Sequence, residues 1–185
     1  VPSEKPEISY KKAIMLAPDL DPREGMDKIQ NEFRFYKNVS SLLFSLNIEI
    51  LGVKIRDDAH FKTRSMEEFL IIDGVNIPLV TEEVLFSDVV KNADIVIGPI
   101  STAILEAGLS GVDYFLYNPI NPKPTDHFQK CLYKYINVSH NINDLKKNII
   151  EKKPYNDGHS VDDLINLYSA NSLRDICSKL DSFIR

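Results

Sequence analysis

"ADIVIGPISTAILEAGLSGVDYFLYNP", residues 93 to 119, decides the architecture of the chain. The run from Ile95 to Ile97 is apolar without interruption and ends on a Gly-Pro turn. This is the pattern of a short strand buried on both faces, as in a parallel sheet. Small hydroxyl residues follow, then a helix predicted from about Thr102, and "DYFLYN" supplies the next strand. Between Ile95 and Val112 a single side chain is charged, Glu106. A carboxylate in so apolar a helix must be solvated, paired or committed to a ligand.

The same alternation extends outward from this stretch. Upstream, "KKAIMLAPDL" predicts a strand over 12–17 closed by a proline. Ile29, Phe33, Tyr36, Val39, Ser40, Leu43 and Leu46 recur at spacings of three and four and predict an amphipathic helix whose stripe covers one face of a sheet. "EILGVKI" reads as a second strand, "MEEFLIIDG" as a helix or irregular stretch, "NIPLVT" as a third strand and "LFSDVVKNA" as a short helix, which makes "DIVIG" the fourth strand. Downstream lie a Pro-rich loop from Pro119 to Pro124, helices near 126–134 and 143–151, and "YINVS" as a sixth strand between them. Strands alternating with helices predict an α/β fold, a doubly wound parallel sheet of Rossmann-like type, with its ligand site at the carboxyl ends of the strands. The domain reading is a linker over 1–11, the α/β domain over 12–160, and a C-terminal helical segment over 161–185 packed on the same domain, marked by Leu164, Leu167, Leu173, Ile176, Leu180 and Phe183.

Composition limits the functions. The chain has 185 residues, 43% of them apolar, enough for a substantial core. Its net charge of -5 provides no overall attraction to nucleic acid or anionic lipid, so nucleic acid is not an expected partner. The two cysteines, Cys131 and Cys177, form no metal-ligand spacing, and no metal is expected. No apolar run approaches the roughly 18 to 20 residues of a membrane span, so no integral membrane segment is expected. A cytoplasmic location follows as the expectation, with the inner face of a membrane as a peripheral alternative. The opening "VPSEKPEISYKK" reads as a linker, which suggests a piece of a longer protein.

The turn "GPIST" holds the residues with the most chemical content. Ser101 is placed to cap the helix, and Thr102 adds a second hydroxyl. Free backbone N–H groups at such a terminus suit a phosphate, although Ser101 capping its own helix accounts for the same residues. Glu106 shares a helix face with Thr102, while Ile104, Leu105 and Leu109 are expected inward. Two readings fit Glu106: an acceptor for a pair of ribose hydroxyls, or a solvated residue at the rim. Lys54, Arg56, His60, Lys62 and Arg64 form a basic loop after the second strand that either neutralises a ligand phosphate or is simply solvated. His127 reads as a surface histidine, and His140 and His159 carry no assigned role.

The segment from Ser87 to Pro119 resembles the nucleotide-sugar-binding half of GT-B glycosyltransferases and their relative, UDP-N-acetylglucosamine 2-epimerase. In those families an "ADxxI" strand runs into a Gly/Ser-rich turn and a helix whose N-terminus receives the donor diphosphate, and a glutamate in that helix grips the ribose. The step from Ser101 to Glu106 matches this spacing, and "AGLSGVDYFLYNP" resembles the segment that follows. The turn reads "GPIST" rather than a double-glycine or Asp-Ser-Ser form, Asp113 stands where proline is usual, and "KIRDDAHFK" lacks the "HP" of capsule and teichoic-acid transferases. The resemblance implies a donor-binding domain that holds a nucleotide-sugar as substrate, needs no cofactor, and is completed by an N-terminal acceptor domain carrying the general base. Its substrate-binding residues would be Gly98, Pro99, Ile100, Ser101, Thr102, Glu106, Lys54 and Arg56. No catalytic residue is assigned, and the chain is expected to be inactive alone. The alternatives are a UDP-sugar epimerase half-domain and a non-catalytic nucleotide-binding or interaction module, including a receiver-like or flavodoxin-like domain to which Asp19 and Asp21 give weak support.

Overall fold

The computed structural model describes residues 8–18, 26–55, 69–80, 84–101, 103–119 and 137–155. The elements in order are β1 (Lys12–Leu16), α1 (Met26–Ser45), β2 (Glu49–Lys54), β3 (Phe69–Ile72), β4 (Val75–Val80), α2 (Phe86–Val90), β5 (Ile95–Gly98), α3 (Ala103–Leu109), β6 (Asp113–Tyr117), β7 (Val138–Ser139) and α4 (Ile142–Ile150). They build one seven-stranded sheet in the order β3-β4-β2-β1-β5-β6-β7. Every neighbouring pair is parallel except β3 with β4. The expected parallel α/β sheet is present.

Alternation along β1 shows how the sheet is covered on both sides. Ala13 and Met15 point into a core with Phe35, Tyr36, Val39 and Leu43 of α1 and Leu145 and Ile149 of α4. Ile14 and Leu16 point the opposite way, into a core with Phe86 and Val90 of α2 and Ile104 and Ala107 of α3. Successive strand residues face opposite sides, so a strand buried in both cores must be apolar throughout. β5 and the 114–117 stretch of β6 meet that condition.

Four sequence expectations are corrected. "FLII" in "MEEFLIIDG" is the antiparallel strand β3, because Asp73 (φ 49) and Gly74 (φ 82) both take left-handed backbone and close a two-residue hairpin onto β4. Phe33 does not join the α1 stripe; it is 42% exposed while Phe35 and Tyr36 turn inward. Leu109 does not face the core either: it is 71% exposed at the last turn of α3. The sixth parallel strand is reduced to Val138–Ser139. The helix expected over 126–134 and the segment over 161–185 lie outside the described residues, as do both cysteines.

α1 and α3 end in the same way, which fixes how each enters the following strand. After α1, Asn47 is left-handed (φ 56), with Ile48 N–H bonded to Leu43 C=O at 2.9 Å and Asn47 N–H to Phe44 C=O at 3.1 Å. After α3, Gly111 (φ 70) takes that place, with Val112 N–H on Ala107 C=O at 2.9 Å. These bonds satisfy carbonyls that the helix leaves open and turn the chain back to the sheet.

Candidate functional site

Counting parallel strands alone, the third (β4) lies outside the second, and the fourth (β5) returns beside the first. The sheet therefore reverses direction of growth between β1 and β5. Doubly wound sheets bind ligands in the crevice outside the carboxyl ends of the strands at such a reversal. Here those ends are Leu16 and Ala17 on β1 and Gly98 with the turn Pro99 to Ser101 on β5. Register extends the same edge outward, with Lys54 beside Leu16, Val80 beside Lys54, and Leu116 beside Gly98.

Gly98 is dictated by close approach. A Cβ at this position would lie 2.7 Å from the Leu16 Cβ and 2.8 Å from the Tyr114 hydroxyl. Only glycine lets β1 and β6 side chains close over the strand end.

The turn that follows is held from below by Tyr114. This residue of β6 is fully buried, and its hydroxyl donates to the Pro99 carbonyl at 2.6 Å. Burial pushes the Tyr114 pKa far above the ordinary tyrosine value, so the group remains a protonated donor. Ser101 Oγ also accepts from Ala103 N–H at 3.0 Å, and the Ser101 carbonyl accepts from Ile104 N–H at 3.1 Å. Ser101 thus caps α3, and two of the helix's leading donors are satisfied inside the turn. Pro99 and Ile100 are buried, while Ser101 is half-buried at the edge.

Glu106 is the fourth of the seven residues of α3, in its first turn, and is exposed. Its carboxylate is therefore solvated, and among the described residues no side-chain hydrogen bond or ion pair engages it. The helix is not buried all round: Ile104 and Ala107 are its buried residues and Leu105 is intermediate. Lys54 ends β2 on the side of the sheet that carries α2, and its ammonium donates to the Val84 carbonyl at 3.0 Å. That bond braces the entry to α2 against the strand edge. Thr102, Arg56 and the remainder of the basic loop lie outside the described residues.

Further along the same edge, His140 Nδ1 lies 3.3 Å from the Asn118 carbonyl, and Asn141 caps α4 by accepting from Asn143 and Asp144 N–H at 3.0 and 2.9 Å. The opposite edge is built for structure. Asp94 accepts from the Lys11 and Lys12 N–H groups at 2.6 and 2.9 Å, and Asp113 accepts from the Tyr10 hydroxyl. Among the described residues, no group of three or more His, Cys, Asp or Glu side chains is placed to hold a metal ion, and no helix is long and apolar enough to cross a membrane.

The structure thus brings Gly98, Pro99, Ile100 and Ser101 together at the reversal point, with Lys54 on the same edge. Sequence reading missed Tyr114 and Leu16, which look like ordinary strand apolar positions. A scan against protein-family models and a search of curated proteins gave no match to this chain.

Proposed function

We propose that this chain is the donor-binding domain of a GT-B-type glycosyltransferase, holding a nucleotide-sugar whose sugar passes to a glycan or lipid-linked acceptor. One observation carries the reading: the turn with the resembling motif, Gly98 to Ser101, stands at the carboxyl end of β5 where the sheet reverses. The strand order also favours it over a receiver-like or flavodoxin-like domain. Receiver-like and flavodoxin-like sheets run 2-1-3-4-5, whereas the parallel strands here run 3-2-1-4-5-6, the nucleotide-binding order of two mononucleotide halves. A dinucleotide cofactor is disfavoured, because the sequence after β1 reads Ala17-Pro18-Asp19 without a glycine-rich fingerprint.

In the proposed mechanism an acceptor oxygen attacks the anomeric carbon, the bond from that carbon to the phosphate oxygen breaks, and the nucleotide leaves with the electron pair. The acceptor proton passes to a base on a second domain that carries the acceptor. This chain's part is to hold the nucleotide, with the switch-point turn near the departing phosphate and Glu106 accepting from the ribose. The exposure of Glu106 is compatible with that role, since a ribose-binding carboxylate must be reachable.

A thermal-shift screen of UDP, CDP, CMP, GDP and dTDP tests the reading. A ligand at about 100 times its Kd adds about 2.7 kcal/mol to native-state stability, so selective stabilisation by one base is expected. No shift with any of them at millimolar concentration would overturn it.

A further inference from the structure

We infer that Tyr114 is the positioning residue of the switch-point turn, its hydroxyl holding the Pro99 carbonyl and so setting the shape that a nucleotide meets. The ligand part of this inference rests on the nucleotide-binding reading above. Two contacts converge on one oxygen. It donates to Pro99 across 2.6 Å, and it fills the space where a side chain at position 98 would begin. The ring is held by the core between the sheet and α3, with Tyr155 edge-on at 6.0 Å between centroids. A rigid strand therefore carries the hydroxyl, and the turn takes its geometry from the strand. Ser101 then passes this geometry to α3 through its bonds to Ala103 and Ile104. A phenylalanine would fill the same apolar volume and lose only the bond to the Pro99 carbonyl.

Two measurements on Tyr114→Phe in the full chain test this. Amide hydrogen exchange at Ala103 and Ile104 is expected to quicken about tenfold, the loss of roughly one net hydrogen bond, while strand amides of β1 and β5 keep their protection. Calorimetric titration with UDP, CDP, CMP, GDP and dTDP, each beside its nucleoside, is expected to show about tenfold weaker binding of the preferred nucleotide and unchanged binding of its nucleoside. Ser101→Ala is expected to produce the same split, and the double variant to lose less than the product of the two. Unchanged exchange at Ala103 and Ile104 would overturn the positioning role. Equal losses for nucleotide and nucleoside would overturn its connection to the phosphate side. If the wild-type chain binds no nucleotide, the functional reading falls, and the exchange rates still decide whether Tyr114 holds the turn.

Discussion

Glu106 and Gly98 illustrate opposite kinds of constraint at the residue scale. Glu106 is exposed in the most apolar stretch of the chain, so the fold does not need its charge. Glu106→Ala is expected to melt within about 0.5 kcal/mol of wild type, the range for ordinary surface substitutions. If the side chain grips a ribose, charge-assisted bonds worth roughly 1.5 to 3 kcal/mol disappear, and nucleotide affinity falls about 10- to 100-fold by calorimetry. Unchanged affinity would remove the ribose role. Gly98→Ala should behave in reverse. The added Cβ meets Leu16 at 2.7 Å and the Tyr114 hydroxyl at 2.8 Å, so urea unfolding is expected to show a loss of about 1 to 3 kcal/mol. The sequence showed Gly98 as a turn residue, yet the tight approach depends on Leu16 and Tyr114, which are distant in the chain. Tyr114 itself reads as one more core aromatic, because its hydroxyl partner lies on a turn contributed by another strand.

At the scale of elements, local signals were legible where they are self-contained. Ser101 was readable as a cap because capping needs only the next few residues, and the buried strand β5 was readable from its unbroken apolar run. β3 was misread because "MEEFLIID" mixes helix formers with strand formers. The Asp73-Gly74 pair was the deciding signal, since both residues must take positive φ to close a tight hairpin. The exposure of Phe33 and Leu109 was not legible, as both fall within apolar spacing and only the packing partners decide which side is buried. Helix ends provide a direct test. Gly111 is left-handed with open space around its Cα, so Gly111→Ala is expected to cost about 1 kcal/mol through backbone strain alone. Asn141→Ala removes the acceptor for two N–H groups of α4 and should also cost about 1 kcal/mol, while Asn141→Asp should retain most of the stability. Equal stability of Asn141→Ala and wild type would contradict the capping account.

For the whole molecule, buried tyrosines connect packing to pH. Burial holds the pKa of Tyr10, Tyr36 and Tyr114 well above the ordinary value, and burial pushes Tyr155 up to about 12. The unfolded chain releases these protons from about pH 10, whereas the folded chain retains them, so the native state binds more protons and stability falls as pH rises. Stability from Tyr155 is complete below about pH 10 and lost by about pH 12. Urea unfolding between these values is expected to steepen by about 1.4 kcal/mol per pH unit for each such tyrosine, and Tyr155→Phe should remove one step. The Tyr155 hydroxyl is buried without a hydrogen-bond partner among the described residues, so the same variant should be neutral or stabilising at pH 7.

The parallel sheet was legible from alternating strands and helices, but its order was not, because nothing local states on which side of β1 a later strand returns. That return places Gly98 to Ser101 beside Leu16 and Ala17 at the reversal, and the functional account depends on it. Residue-resolved amide shift mapping during titration with the nucleotide that gives the largest thermal shift tests the account most directly. The expected result is perturbation concentrated at Leu16, Ala17, Gly98, Ile100 and Ser101, with the opposite edge at Lys11, Lys12 and Val112 unaffected. Perturbation centred on that opposite edge, or none at any residue with nucleotide at millimolar concentration, would contradict it.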